Sequence, residues 1–276
     1  MMMISLPKPQ LLGIAGADAV AFAHAQFSSD VRGLLNGQWQ WSAWLSPQGR
    51  VRAFFHLIRD DDEHLRLLLR GGGAGELRSA LAPYILRAKV ALSAIDDTDA
   101  VGTFDARDGR ADADALALPG SPPRWLMLRR AAATDASGAP AATEQWRLAD
   151  IRAGLPELDP ALQDQFLPQW LGLDRLGAVS VKKGCYPGQE VMSRLHFKGG
   201  NKRALYRLQL QAAALPAPGG ALLLAAGREN AGQIVMAARG DGGIEALASL
   251  IEAASGESLC AADPAITDLR VAQRFA

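Results

Sequence analysis

The residues best suited to chemistry lie in one basic segment, Val181–Arg207. This segment holds seven lysines and arginines but a single acid, Glu190, within a chain whose 29 basic residues balance its 29 acidic residues. A solvated basic surface is the simplest interpretation of such a segment, but Cys185 lies inside it. A cysteine among positive charges ionises readily to the nucleophilic thiolate. Cys185 is therefore the first candidate for a reactive residue.

The neighbours of Cys185 strengthen this interpretation. Lys182 and Lys183 precede it, and Pro187 is suited to the first position of a helix, which we predict over Gly188–His196. The partial positive charge at a helix N-terminus and the two lysines both favour a thiolate. The alternative is a small buried cysteine without chemistry, which is the usual role of an isolated cysteine.

Other motifs give weaker signals. Gly71–Gly75 lacks the endings and spacings of phosphate- and dinucleotide-binding loops, so it predicts a flexible turn. Two cysteines, Cys185 and Cys260, are too few for a disulfide framework or a four-cysteine metal site, which fits a reducing cytoplasmic location without a metal. No apolar run approaches the roughly 18 residues of a membrane span, and no leader peptide is recognisable, so we expect no membrane partner. Four histidines lack metal-ligand spacing and are expected to be structural or solvent-exposed: His24, His56, His64 and His196.

The elements that must position these residues are predicted to be a mixture of strands and helices. A hairpin is predicted with Trp39 and Trp41 on one face and Trp44 on the other, because side chains alternate along a strand. Its parts are Gln38–Leu45, the turn Ser46–Gly49 and Arg50–Ile58. A strand over His64–Arg70 and a helix over Glu76–Arg87 follow. This order of elements is typical of α+β layers.

The rest of the chain gives four further predictions. Ser29–Asn36 is predicted to be a short helix capped by its first serine. The stretch 96–143, rich in Ala, Asp, Gly and Pro, is predicted to form surface loops around one strand, Arg124–Arg130. Glu144–Leu148 is predicted to be another strand. After Leu208, short apolar runs separated by turns predict a small β-barrel.

The octapeptide Lys-Gly-Cys-Tyr-Pro-Gly-Gln-Glu at 183–190 resembles the hallmark of the YgfZ-type folate-binding proteins. These are relatives of the aminomethyltransferase (T-protein) of the glycine cleavage system. Further segments match that family in order, namely Arg152–Pro156, Phe166–Gln169, Leu86–Val90, and Arg194 with Gly199–Arg203. The resemblance implies two interleaved ferredoxin-like lobes over residues 1–205 and a small C-terminal β-barrel over 206–276, arranged as a ring around a central opening.

The same resemblance implies a folate-binding accessory factor that supports assembly or repair of iron–sulfur clusters, including those of radical enzymes that modify tRNA. The expected cofactor is tetrahydrofolate or another reduced folate at the central opening, and the expected partners are iron–sulfur client proteins or assembly factors. Cys185 is the residue on which the family depends, as a thiolate nucleophile, a redox centre or a transient ligand. The residues expected to bind the folate are Lys183, Gly184, Tyr186, Gly188, Gln189, Glu190, Arg194, Lys202, Arg203 and Trp41.

Two other functions stay open. One is a genuine folate-dependent one-carbon transferase or demethylase like the T-protein. That family carries an Asp-Asp pair in the strand after the hairpin turn, where this chain has Ala53-Phe54, and neither of these side chains transfers a proton. Asp30 is the remaining candidate for that role. The other function is non-enzymatic binding of RNA or of an acidic partner through the basic segment.

Overall fold

The structure, a computed structural model, describes residues 3–105, 115–131 and 140–275. The elements of the first half are β1 (Ile4–Ser5), β2 (Leu11–Ala15), α1 (Ala19–Gln26), β3 (Gln38–Leu45), β4 (Val51–Arg59), β5 (His64–Leu69), α2 (Ala74–Leu81), β6 (Ala91–Ile95), β7 (Thr98–Thr103), β8 (Ala115–Leu118) and β9 (Arg124–Arg130). Those of the second half are α3 (Pro140–Ala153), α4 (Gln189–Lys198), β10 (Arg203–Gln211), β11 (Ala221–Leu224), β12 (Asn230–Gly240), β13 (Gly243–Ile251), β14 (Leu259–Ala261) and β15 (Thr267–Phe275). They form three antiparallel sheets, which confirms the predicted α+β class.

The first sheet has five strands in the order β3-β4-β5-β2-β6. Its predicted hairpin is present, and it pairs Trp41 with His56 and Trp44 with Ala53. Because side chains alternate along a strand, Trp41 packs into the core shared with the other sheets, whereas Trp44 packs beneath α1 and α2. The opposite faces predicted for these tryptophans are therefore confirmed.

The second sheet has four strands in the order β1-β7-β9-β8, and α3 packs against it. The ring of Trp146 lies so close to Gly102 of β7 that a β-carbon at that glycine would stand 2.4 Å from it. The predicted strand over Glu144–Leu148 is wrong, because this segment lies inside α3. Trp146, Asp150 and Ile151 are buried at spacings of four and five residues, as on one face of a helix, and the buried Leu148 between them gives the short segment its alternation.

The loop-rich stretch 96–143 holds more structure than predicted. Instead of one strand it contributes three, since β7 and β8 pair with the predicted strand β9. Its apolar runs are short and are separated by acidic and glycine-rich residues, so each strand alone gives a weak pattern. The parts of the predicted loops at 106–114 and 132–139 lie outside the described residues.

Two short helices also differ from prediction. Ser29–Asn36 forms turns and no helix. Its first serine is buried, and the Ser29 hydroxyl donates to Oγ of Ser42 at 2.7 Å instead of capping a helix. The helix predicted over Glu76–Arg87 ends early, since α2 continues only as a tight 3₁₀ turn at Ala82–Tyr84. The proline in that turn lacks the N–H that a longer helix needs.

The third sheet has six strands in the order β14-β11-β12-β13-β10-β15, all between Arg203 and Phe275. Its edge strands β14 and β15 contact each other, so the sheet curls into a half-barrel. One core includes residues of all three sheets, such as Trp41, Leu126 and Leu205. Within the described residues, no helix has both the length and the apolar character needed to cross a membrane.

Candidate functional site

Six of the eight residues of the octapeptide lie in a loop, Ser180–Gly188, that we call the cysteine loop, and the last two begin α4. Its first N–H donates to the carbonyl of Ser28, just after α1, at 2.8 Å. At its other end Gly188 packs on the hairpin turn, where a β-carbon would stand 2.6 Å from the Ser46 carbonyl oxygen and 2.7 Å from Cα of Gly49. Gly188 also has a φ of 79°, which favours glycine. The loop is therefore fixed at both ends.

Lys183 anchors the cysteine loop to α1. Its ammonium donates to the carbonyls of His24 and Phe27, and its own carbonyl is 3.0 Å from Nε2 of His24. The last carbonyls of a helix lack intrahelical partners and attract a cation. The ammonium also lies 4.9 Å from the ring centroid of Tyr186. Burial lowers the pKa of Lys183 to about 8. Lys183 was predicted to bind the folate, but its charged group points to the end of α1.

The loop exposes Cys185 and buries its neighbour. Cys185 is an exposed free thiol, which excludes the alternative of a small buried cysteine. Gly184 before it has a φ of 95° and turns the chain outward. Tyr186 after it is only 7 % exposed, its hydroxyl has no hydrogen-bond partner among the described residues, and burial raises its pKa to about 12. Tyr186 therefore anchors the turn that presents the thiol.

The helix after the loop begins later than predicted. Pro187 is not its first residue, because Gly188 takes a left-handed conformation and α4 runs from Gln189 to Lys198. The only fully buried residue of α4 is Met192. A glycine turn thus separates Cys185 from the helix N-terminus. The outer surface of α4 carries polar and basic side chains together with Phe197, which is 71 % exposed.

The other residues predicted to bind the folate lie in two places, on or near α4 and against aromatic rings. Gln189 and Glu190 begin α4. Of the residues predicted to bind the folate, Glu190, Arg194 and Lys202 are exposed. Arg203 instead begins β10 and lies over the ring of Trp170. Trp41 is buried, with ring centroids 5.1 Å from Phe54 and 4.0 Å from His56.

A second feature is a cavity of about 310 Å³ between the five- and four-stranded sheets, which we call the inter-sheet cavity. Its walls come from the middle of β4, the end of β5, the segment Leu6–Gln10 between β1 and β2, from β7 and β9, and from α3. The walls combine apolar and charged side chains, among them His56, Arg70, Leu126, Trp146 and Asp150. A cavity of this size and mixed character is typical of a small-molecule site.

His56 is the most unusual residue in the wall of the inter-sheet cavity. It is fully buried, yet neither ring nitrogen has a hydrogen-bond partner among the described residues. The Leu68 carbonyl favours the protonated ring but makes no hydrogen bond of good geometry. Burial, reinforced by the charge of Arg70, holds the pKa of His56 well below its usual range. The imidazole is therefore neutral, with one donor and one acceptor available.

A buried ionic triad lies beside His56. The Asp150 carboxylate accepts hydrogen bonds from Arg70, at 2.8 Å, and from Arg124. All three side chains are less than a tenth exposed. Two guanidinium groups share one carboxylate, so the triad has a net positive charge next to the cavity, where it favours an electron-rich ligand.

The position expected to hold an acidic pair is apolar in three dimensions as well as in sequence. Phe54 is 1 % exposed and stacks on Trp41, and Ala53 is 7 % exposed on the opposite face of the strand. Asp30 lies away from this pair, with its carboxylate 3.4 Å from Nδ1 of His24. Ala53 and Phe54 therefore bring no acid-base group to this point of β4.

The sequence pattern did not identify His56, Arg70, Arg124 or Asp150 as site residues. One signal was present: His56 alternates with Phe54 and Ile58 on a face that is otherwise apolar. A polar residue in such a position is expected to have a partner or a function. The arginines and the aspartate come from three separate elements, and only the fold brings them together.

Comparison with known proteins agrees with this description. No family model matches the chain. An uncharacterized protein of Haemophilus influenzae is 32 % identical over 210 residues, which are 75 % of this chain and 73 % of that protein. The crystal structure of the glycine cleavage system aminomethyltransferase T from Bartonella henselae superposes with a TM-score of 0.65, covering 95 % of this chain and 82 % of that one at 14 % identity. The protein therefore has the aminomethyltransferase T fold and belongs to the same family as the Haemophilus influenzae protein.

Proposed function

We propose that the protein binds a reduced folate in the inter-sheet cavity. The observation that carries the proposal is His56, a buried neutral imidazole with an unused donor and acceptor in the cavity wall. A buried polar group without a partner is costly, so such groups usually have one. A pterin ring offers donors and acceptors along its edge, and one of them would pair with a His56 nitrogen. Tetrahydrofolate is the form that the family resemblance suggests.

The surroundings of His56 fit the same ligand. Arg70 supplies positive charge towards the carbonyl oxygen of a pterin, and Trp146 supplies an apolar wall for its ring. In this proposal the cavity is part of the central opening of a ring made of two ferredoxin-like lobes and the C-terminal barrel. Trp41 would not contact the folate but would hold the ring of His56 in position by packing on it.

We further propose that the protein is an accessory factor for iron–sulfur proteins and that Cys185 is its reactive group. Clusters are usually held by four cysteines, and this chain has two. Among the described residues, no group of three or more His, Cys, Asp or Glu side chains is arranged to hold a metal ion. The clusters would then belong to client enzymes, tRNA-modifying radical enzymes among them, with Cys185 acting on them from an exposed loop.

A T-protein-like transferase has less support. Proton transfer at the folate nitrogen needs an acid-base group, and Ala53 and Phe54 provide none. Binding of RNA or an acidic partner has the exposed bases of α4 in its favour, but no described feature of that surface selects a particular ligand.

Folate binding is tested by calorimetric titration of 5-formyltetrahydrofolate, a stable reduced folate. We expect one site per chain in the wild type and about a tenfold loss of affinity in His56→Phe, since a buried ligand group left without its hydrogen-bond partner costs about 1–3 kcal/mol. His56→Gln, which keeps one donor and one acceptor, should lose less. The matched control is His64→Phe on the exposed end of β5. Equal affinity in His56→Phe and the wild type would place the folate elsewhere.

The role of Cys185 is tested in a strain that lacks its own relative of this protein. We expect that neither Cys185→Ala nor Cys185→Ser will restore the activity of a cluster-dependent tRNA-modifying enzyme above its level in the strain without any copy of the protein. The control Cys260→Ala should restore activity, because Cys260 lies in the barrel strand β14. Full restoration by Cys185→Ala would remove this thiol from the mechanism.

A further inference from the structure

Two arginines share one tryptophan beside the hairpin turn. The guanidinium carbon of Arg50 lies 4.7 Å from the ring centroid of Trp170, and that of Arg203 lies 5.3 Å from it. Both arginines line one cavity of about 420 Å³, which we call the arginine cavity. Cationic groups over an aromatic face are held in place by the ring quadrupole. The two charges are therefore positioned next to each other.

These two cations lack a counter-ion within the described part of the chain. Arg50 donates to the carbonyl of Gln165 at 2.8 Å, and no carboxylate there pairs with Arg50 or Arg203. Asp164 also lines the cavity, but Nε of Arg52 is 3.1 Å from both of its carboxylate oxygens. Burial and the nearby charge of Arg50 both lower the pKa of Arg203. Two neighbouring unpaired guanidinium groups are a strong recognition site for an oxyanion.

We propose that the arginine cavity binds an oxyanion and that this anion is the glutamyl tail of the folate. The assignment to the tail rests on the proposed function. A smaller cavity of about 170 Å³ shares Gly71 and Gly72 with the inter-sheet cavity and Asp164 with the arginine cavity. A folate whose pterin lies at His56 would extend past these glycines, and its γ-linked carboxylates would meet Arg50 and Arg203. Asn230 adds a neutral amide to the same wall, whereas Nε2 of Gln233 donates to Oε1 of Gln165 at 2.9 Å.

The tail is tested by comparing tetrahydrofolate with one and with three γ-linked glutamates. In the wild type the triglutamate form should bind at least ten times more tightly, since two charge-assisted hydrogen bonds contribute more than 1.4 kcal/mol. In the double variant Arg50→Gln/Arg203→Gln this ratio should fall to near one, while the monoglutamate affinity stays within about twofold. The control Arg270→Gln, on the exposed edge strand β15, should keep the wild-type ratio. A ratio unchanged in the double variant would overturn the proposal.

The anion site is tested separately from folate binding by following tryptophan fluorescence. Free γ-linked triglutamate should give a saturable change in the wild type that is lost in Trp170→Phe, with thermal unfolding used to verify that both proteins are folded. Saturation by triglutamate without any folate binding would support the anion site and contradict the proposed function. Tighter binding of inorganic phosphate than of triglutamate would overturn the tail as ligand, and no response to either would overturn the site.

Discussion

At the scale of the residue, His56 links stability and ligand binding. Its ring is enclosed by Trp39 and Trp41, with ring centroids 5.1 and 4.0 Å away. A buried imidazole without partners costs folding free energy, and proteins keep such groups mainly where a ligand uses them. The same burial makes the protonation of His56 a measurable property of the fold.

The first prediction concerns stability below neutral pH. The pKa of His56 is lower in the folded than in the unfolded protein, so as pH falls below about 6.5 the unfolded state binds the proton first. The contribution of this group to folding stability should therefore decrease as the pH falls from 7 to 5. The measurement is urea unfolding of the wild type and His56→Phe at both pH values. His24, whose pKa burial also lowers, remains in both proteins. An equally steep decrease in both would contradict the assignment.

At the scale of the element, one carboxylate joins three parts of the fold. Asp150 of α3 binds Arg70, which follows β5, and Arg124, which begins β9. The ends of the five- and four-stranded sheets are thus tied to the same helix, on the wall of the inter-sheet cavity.

The second prediction is that Asp150→Asn strongly destabilises the protein. The change leaves two buried guanidinium groups without a counter-charge, and breaking such a pair costs about 3–5 kcal/mol. The control is Arg274→Gln, which breaks the exposed pair with Glu252 and should change stability by less than about 0.5 kcal/mol. Thermal and urea unfolding measure both. A cost below about 1 kcal/mol for Asp150→Asn would show that the triad is not needed for folding.

The third prediction compares two glycines of the cysteine loop. Both have positive φ, but a β-carbon at Gly188 would collide with backbone of the hairpin turn, whereas one at Gly184 would meet nothing within 4 Å. Gly184→Ala should cost about 1 kcal/mol from backbone strain alone, and Gly188→Ala at least about 3 kcal/mol. Gly188→Ala should also change the rate at which a thiol reagent modifies Cys185. Equal costs for the two changes would contradict the packing described here.

The elements show what a single sequence reveals and what it hides. The hairpin was predictable because its tryptophans alternate and its turn has the Ser-Pro-Gln-Gly pattern. The helix α3 was not, because Glu144–Leu148 alternates over a short window and the 3.6-residue pattern appears only when Asp150 and Ile151 are included. Asp150 can be buried on the inner face of α3 because Arg70 and Arg124 neutralise it, and only the tertiary structure brings these arginines to it.

At the scale of the whole molecule, one part of the candidate site could be predicted from the sequence and another part could not. The cysteine loop was predictable since its residues are adjacent in sequence. The inter-sheet cavity was not, because His56, Arg124 and Asp150 are far apart in the chain and meet only where two sheets and α3 come together. The neutral overall charge hides a similar local contrast, because the segment Val181–Arg207 holds seven lysines and arginines but one acid.

The central claim is that a reduced folate occupies the inter-sheet cavity, and hydrogen–deuterium exchange tests it most directly. The wild type would be measured with and without saturating 5-formyltetrahydrofolate, with His56→Phe as the comparison. Slower exchange is expected at the end of β5, at Gly71 and Gly72, and in the cavity-facing turns of α3, and this protection should be weakened in His56→Phe. Protection confined to α4, or none at any position under conditions that saturate the protein, would contradict the claim.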